Sequence, residues 1–441
     1  MLTAILNAFR LPELRNKLLI TLALLGVYRL FAEVSIPGAN QAALNNLFAG
    51  QQLIGLLNLF SGGGLASFSI VALGINPYIN ASIIMQLMTV VSPRIKDISK
   101  EGDAGRRRIT RWTRYLTVAL AFGQGYGITV LFQNTSPAIL PVDMSWFQRI
   151  AIMIVMTGGT VLAMWIGELI SEHGIGNGIS LIIFAGILAR VPSTVQGLVQ
   201  GTGNGGLVGY LPLLAMAAVA ILAVAAVIEV QQATRKIPIQ SAQRLSGGRT
   251  VQGRQSNLPL KVNTAGVIPI IFAISVLEFP TIIASYLQGA PHNTWYYQAA
   301  TWITQNFQPT GANTPVVIGY NALEFLLIFG FTYFYTAVTY DVNDVADNLR
   351  RLSSFIPGIR PGRPTAEYLG RVLNRITFAG GIFLGCITVL LPFITAKVTS
   401  IPQSSTTLGG TAILIVVGVA LDTMRQLETQ LVMRQYRGFI R

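Results

Sequence analysis

Apolar runs long enough to cross a bilayer recur along this chain, separated by short polar segments. A hydrocarbon core ~30 Å thick takes ~20 helical residues to span. Such runs fall at about 18–36, 71–91, 114–132, 148–168, 178–192, 207–230, 264–286, 319–339, 374–393 and 408–427. The pattern therefore predicts an all-α membrane protein with ten transmembrane helices.

Charge gives an independent reading of the same pattern. Placing the N-terminus inside makes the cytoplasmic segments the N-tail, 92–113, 169–177, 231–263, 340–373 and 428–441. These segments and the adjoining helix ends hold every Lys and Arg except Arg29, Arg149, Arg190 and Lys397. The outside loops 133–147 and 287–318 carry none. That bias, with an even number of crossings, puts both termini in the cytoplasm. Composition agrees, because 11% charged and 52% hydrophobic residues is too little charge to cover a soluble surface, where ~25% is usual. The excess of 31 Lys+Arg over 17 Asp+Glu reads first as topology and second as affinity for an acidic partner.

Ten helices divide into two halves of five, 1–205 and 206–441. An odd number of crossings per half inverts the second relative to the first, and in inverted-repeat architectures the working site lies between the halves near the midplane. Two inside segments exceed what topology needs. Segment 231–263 carries Arg235, Lys236, Arg244, Arg249, Arg254 and Lys261 around a Gly247-Gly248 turn signal, which predicts a protruding hairpin. Segment 340–373 contains Phe355-Ile-Pro-Gly-Ile-Arg-Pro-Gly362, a rigid loop by its Pro and Gly content. Each is either a solvated connector or a docking surface for a large partner.

Some stretches break the pattern. Residues 53–70 are apolar but interrupted by Gly62-Gly63-Gly64, and each Gly costs a helix ~1 kcal/mol relative to Ala. The segment is either an interfacial helix or a re-entrant half-helix inside a cavity, since broken backbone at membrane depth needs protein or water around it. Gly174-Ile-Gly-Asn-Gly178 precedes an unusually short apolar helix, which suits a cavity lining. Ile75 and Ile79 share one helix face, as do Ile179 and Ile183, although spacing alone also suits lipid-facing or core packing.

Candidate chemistry is sparse. The N-terminal Arg10, Arg15 and Lys17 before an apolar run resemble a signal peptide, but Arg29 interrupts the run and no clear cleavage site follows. It reads as an uncleaved first helix. Cys386, the only cysteine, lies in an apolar run, so packing is its role and no intrachain disulfide forms. His173 and His292 form no site. The chain has no H-E-x-x-H, G-x-S-x-G or Walker A motif, so neither an enzyme nor a cofactor is expected. Glu278 and Arg29 are charges at membrane depth, functional candidates by default. Arg29 either snorkels or pairs with Glu33 one turn on, and Glu168 and Glu229 read as solvated at cytoplasmic helix ends.

Five motifs in order resemble the SecY family, the channel subunits of the bacterial Sec protein translocase. They are Leu73-Gly-Ile-Asn-Pro-Tyr-Ile-Asn-Ala-Ser-Ile-Ile-Met-Gln-Leu87, Lys100-Glu-Gly-Asp-Ala-Gly-Arg-Arg107, Gly174-Ile-Gly-Asn-Gly-Ile-Ser180, Lys261-Val-Asn-Thr-Ala-Gly-Val-Ile-Pro269 and Pro357-Gly-Ile-Arg-Pro-Gly362. The resemblance covers essentially the whole chain. It implies an hourglass channel that passes unfolded preproteins and releases signal sequences and transmembrane segments sideways through a lateral gate, helices 2 and 3 against 7 and 8. It implies a pore ring of Ile75, Ile79, Ile179, Ile183, Ile271 and Ile415. The broken segment, about 55–70, matches the plug: Asn58, Leu59, Phe60, Ser61, Gly62, Gly63, Gly64, Leu65, Ala66, Ser67 and Phe68.

The same resemblance implies partners. SecE and SecG would complete a heterotrimer in the bacterial cell membrane. The motor ATPase SecA and the ribosome, through rRNA, would dock on the two large loops, at Arg249, Arg254 and Arg360. SecDF and YidC are further expected partners, beside signal peptides, nascent membrane proteins and lipid. The chain departs from the family at one docking tip, where two adjacent arginines are usual and Gly248-Arg249 stands here, with Arg254 as the candidate substitute. An ion-coupled transporter would show carboxylates at its broken helices where this chain has isoleucines, and an insertase or intramembrane enzyme would show a polar groove or a catalytic constellation.

Overall fold

The computed structural model describes residues 11–44, 58, 61–134, 138–141, 143–202, 211–241, 244–246, 249–251, 255–287, 294–307, 314–399 and 409–438. Ten long helices account for the apolar runs: α1 (Pro12–Glu33), α2 (Asn76–Val91), α4 (Asp103–Asn134), α5 (Trp146–His173), α6 (Gly178–Thr202), α7 (Leu211–Gln232), α8 (Ile268–Leu287), α10 (Thr314–Thr339), α12 (Arg363–Thr399) and α13 (Gly410–Gly438). Three shorter helices, α3 (Pro93–Lys100), α9 (Trp295–Asn306) and α11 (Val342–Arg351), connect them. Among the described residues six helices are long and apolar enough to cross a membrane unaided, and the apolar parts of α6 and α8 are shorter. α1 is diluted by Glu13, Arg15, Lys17, Arg29 and Glu33, and α2 has only 16 residues. The chain is a multi-pass membrane protein.

Helix starts follow local chemistry. Pro12 and Pro77 sit in the first turns of α1 and α2, where a missing N–H costs nothing. Ser145 and Gln148 form a capping box on α5. Several helices outrun the apolar stretches. α12 has 37 residues, about 55 Å at 1.5 Å per residue, so its first turns project beyond the bilayer where the sequence reading had placed loop. α4 likewise begins at Asp103 and α13 runs to Gly438.

Packing follows chain order. α1, α2, α4, α5 and α6 contact one another, as do α7, α8, α10, α12 and α13, and the two sets meet where α8 lies against α2 and α4 and where α13 lies against α6. The apolar core runs through that seam.

The basic segment after α7 is a hairpin: β1 (Thr234–Ser241) pairs antiparallel with β4 (Gln255–Lys261), and β2 (Arg244–Ser246) with β3 (Arg249–Val251). The second basic segment does not stand apart. Its β5 (Ser354–Phe355) adds to the edge of β1, Phe355 facing Gln240 and Ser354 facing Ser241. Ile237, Leu260, Ile356 and Leu369 are buried together beneath this sheet. The two basic segments thus form one joined platform, because apolar positions hidden in both cover each other.

Candidate functional site: an isoleucine cluster between a polar funnel and a glycine-rich segment

Five of the six singled-out isoleucines are buried. Ile75, Ile183 and Ile415 are fully enclosed, and Ile79 and Ile271 nearly so. They come from α2 and its N-cap, α6, α8 and α13, and belong to one larger apolar cluster shared with the neighbouring helices. Ile179 is only partly buried but packs against the same cluster, its Cγ1 turned toward Gly167 of α5.

The Gly174–Gly178 motif explains how α6 reaches this place. Asn177 caps the helix, its Oδ1 accepting from the backbone N–H of Ile179 (3.1 Å) and Ser180 (3.3 Å). Gly176 takes φ +89°, a conformation side chains avoid. At Gly178 any Cβ would run into the Gly167 carbonyl. The neighbouring Ile175 N–H donates to the Thr21 hydroxyl of α1 at 3.1 Å. The alternating glycines thus let the turn press against α1 and α5.

A cavity of about 440 Å³ opens on the hairpin side of the cluster. Its wall is largely polar, with Asn177, Ser180, Lys261, Asn263, Asp422 and Arg425, and Ile271 belongs to its lining. Arg425 donates to the Gln231 carbonyl at 3.0 Å, joining α13 to α7, and the Gln426 side chain accepts from the Gly176 N–H at 3.0 Å. These ties across the funnel were missed at sequence level, because the partners lie up to 250 residues apart.

The broken segment lies on the other side. Asn58 is helical, and Ser61 to Ile75 runs as a chain of turns; Leu59 and Phe60 lie outside the described residues. Its backbone meets α1 closely. The Tyr28 hydroxyl donates to the Ser61 carbonyl at 2.7 Å and Arg29 Nη1 donates to the Gly62 carbonyl at 2.8 Å. The Ser67 hydroxyl donates to the Ala32 carbonyl at 2.7 Å. Downstream, the Ile36 N–H donates to the Phe68 carbonyl (2.9 Å) and the Ile70 N–H to the Val34 carbonyl (3.0 Å). Gly62 also abuts Gly186 of α6, where a side chain would collide with its backbone. Phe68 is fully buried with φ +43°, its ring 5.2 Å from that of Phe132.

Helix α6 therefore orders the three features along its own axis. Asn177 and Ser180 face the funnel, Ile183 enters the cluster, and Gly186 touches the broken segment. Nine residues of helix rise only about 14 Å, so polar mouth, apolar collar and glycine-rich segment are stacked within half a bilayer.

At the α2/α8 seam the side chain of Asn76 donates to Glu278 Oε2 at 2.8 Å, and both residues are buried. Glu278 looked partnerless in sequence because its partner is 202 residues away. Among the described residues, both side-chain polar atoms of Asn80 and the Ser275 hydroxyl are buried without a hydrogen-bond partner. Arg29 pairs with Glu33 at 3.3 Å as the sequence suggested. Glu168 differs from expectation. It is held by Arg114 at 2.8 Å rather than left to solvent, because α4 and α5 pack side by side.

Of the docking residues, Arg360 is exposed on the turn before α12, where the Thr365 hydroxyl holds its carbonyl at 2.8 Å. Arg249 pairs in backbone register with Ser246 at the tip of the hairpin. Arg254 lies outside the described residues. No group of three or more metal-ligating side chains occurs among the described residues.

The SecY family model matches residues 69–424. Relatives described as protein translocase subunit SecY are similar over the full length of both chains. The identity is 46% for that of Streptomyces galbus, 42% for that of Mycobacterium bovis and 43% for that of Halalkalibacterium halodurans. A solved structure described as a protein-conducting channel shares the fold, with TM-score 0.68, 18% identity and coverage of 95% of this chain and 93% of its own. A second, of a SecY protein whose plug domain is described as stabilising the closed state and maintaining a membrane seal, superposes with TM-score 0.66 at 17% identity, covering 95% and 92%. The family model's match to most of the chain and the full-length similarity to translocase subunits place this chain in the SecY family.

Proposed function

We propose that this chain forms the pore of a Sec translocase and that the stacked features are its working parts. It is a protein-conducting channel subunit and not an enzyme, as its family is. The observation that carries the mechanism is the order along α6: polar funnel, isoleucine collar, glycine-rich segment.

An unfolded chain presents every kind of side chain in turn, so the constriction must bind none of them strongly. Isoleucine offers no hydrogen bond and no ion ligand, and its branched Cβ makes it stiff. A collar of Ile75, Ile79, Ile179, Ile183, Ile271 and Ile415 closes around a polypeptide and excludes ions by dewetting. The segment from Asn58 to Phe68 acts as the plug beneath it at rest. The halves 1–205 and 206–441 part at the seam of α2 and α4 against α8 and α10, which makes that seam the lateral gate. Segments leave through it when lipid suits them better than the pore, since a charge at membrane depth costs ~2.5 kcal/mol or more even on insertion scales.

The joined platform of β1, β4, β5 and the start of α12 serves as the docking surface. Arg249, Arg254 and Arg360 contact the SecA motor and the ribosome, whose rRNA phosphates attract exposed arginines. A canine ribosome–channel complex from the endoplasmic reticulum shares this fold, with TM-score 0.66. SecE and SecG complete the channel, SecDF and YidC assist it, and both termini face the cytoplasm at a bacterial cell membrane.

The test is conductance. Ile75→Ser combined with Ile183→Ser, in the reconstituted complex across a planar bilayer, is expected to raise ion leak at least severalfold. Unchanged conductance removes the collar from the mechanism.

A further inference from the structure

Arg29 is a charged side chain that touches the glycine-rich segment's backbone, and its surroundings are specific. The guanidinium gives Nη1–H to the Gly62 carbonyl at 2.8 Å and turns Nη2 toward Glu33 at 3.3 Å. An arginine fork can serve two acceptors on different elements at once. The glycines opposite are shaped to it. Gly62 and Gly63 adopt φ +63° and +95°. A Cβ on Gly63 would lie 2.8 Å from Arg29 Nη1, and one on Gly62 would lie 2.8 Å from the Tyr28 hydroxyl. Both backbone conformations are strained for a residue with a side chain, and the backbone carbonyls themselves are what α1 reads.

We propose that Arg29 is the positioning residue of the plug, a releasable tether whose guanidinium is shared between the Gly62 carbonyl and the Glu33 carboxylate. The inference rests on reading the glycine-rich segment as the plug. Its logic is electrostatic. A charged donor makes a stronger bond to a carbonyl than a neutral one does, so Arg29 contributes more to holding the segment than Tyr28. When the segment moves away, Glu33 keeps the cation paired, so release leaves no orphaned charge inside the membrane. Arg29 and Glu33 stay on α1, one turn apart, whichever position the segment takes. Tyr28 and Ala32, on the same face, supply neutral bonds that fix where the segment returns.

The experiment reads resting ion flux in proteoliposomes carrying the whole channel complex. It also reads labelling of Ala66→Cys, in a Cys386→Ser background, by a membrane-impermeant maleimide. Arg29→Met keeps length and apolar stem but removes every donor. It is expected to raise both flux and labelling rate about tenfold, the scale of one charge-assisted hydrogen bond. Arg29→Lys, which retains charge and donors, is expected to stay within about twofold of the parent, and Tyr28→Phe to fall between the two. Should Arg29→Met accumulate poorly, Arg29→Gln is read by labelling alone, with a rise expected. Deleting residues 61–68 separates the two ideas. If the deletion leaks while Arg29→Met behaves as the parent, the tether is overturned and the plug reading stands. If the deletion does not leak, the plug reading falls and the tether with it. Equal leak from Arg29→Lys and Arg29→Met also overturns the tether, because it shows that bulk and not the shared charge holds the segment.

Discussion

The side-chain amide of Asn76 donates to the carboxyl group of Glu278 at 2.8 Å, joining α2 to α8 through a buried bond between the two halves of the chain. Asn76 lies one residue from Ile75, in the first turn of α2. The bond therefore ties the collar to the seam proposed to open toward lipid. Truncating either partner leaves the other buried and unsatisfied, which costs about 1–3 kcal/mol. Asn76→Ala and Glu278→Ala are each expected to lower thermal stability of the purified complex. The double variant is expected to lose less than the sum, with coupling of about 1 kcal/mol or more. Additive losses in that cycle contradict the bond.

Gly186 tests the seat of the glycine-rich segment. Replacing an interior helix Gly by Ala ordinarily stabilises by ~1 kcal/mol. Here the new methyl would meet the Gly62 backbone, and overpacking costs about 1–3 kcal/mol. Gly186→Ala is therefore expected to be neutral to destabilising and to raise resting ion flux. Gly158 of α5 has open space around it, so Gly158→Ala is the matched control and is expected to stabilise.

The joined platform predicts a long-range effect. Leu369 is fully buried on α12 beneath the sheet. Leu369→Ala is expected to cost about 2–5 kcal/mol locally. It is also expected to speed amide exchange at Gln240 and Ser241, whose β5 partners are Phe355 and Ser354. Exchange confined to α12 contradicts a shared core.

Arg360 is exposed and makes no ion pair among the described residues, so its substitution is expected to leave the fold intact. Arg360→Glu is expected to slow motor-driven preprotein translocation by tenfold or more while changing ribosome affinity by less. Both are measured on the same reconstituted complex. Equal effects on the two assign Arg360 to general surface charge instead.

Much of the architecture was legible without coordinates. Hydropathy and the Lys/Arg bias located each of the ten long helices, because lipid contact demands long apolar runs. The helix ends were less legible. α12 continues through Arg363–Asn374 as helix in water, where hydropathy carries no signal. The isoleucine pairs were visible as faces but not as a site, since the same spacing suits lipid contact, and only the family resemblance assembled them. Glu278 stood out as a charge at depth, but nothing local pointed to Asn76.

What the amino-acid order determines by itself is what neighbours along one helix set: the spans, their orientation bias and the proximity of Arg29 to Glu33. What only the tertiary structure decides is which distant groups share a place. Gly62 against Gly186, Asn76 with Glu278, and β5 on β1 all join residues more than a hundred positions apart. Such contacts depend on how helices pack. Packing is selected by the summed fit of many side chains, and no short motif encodes that sum.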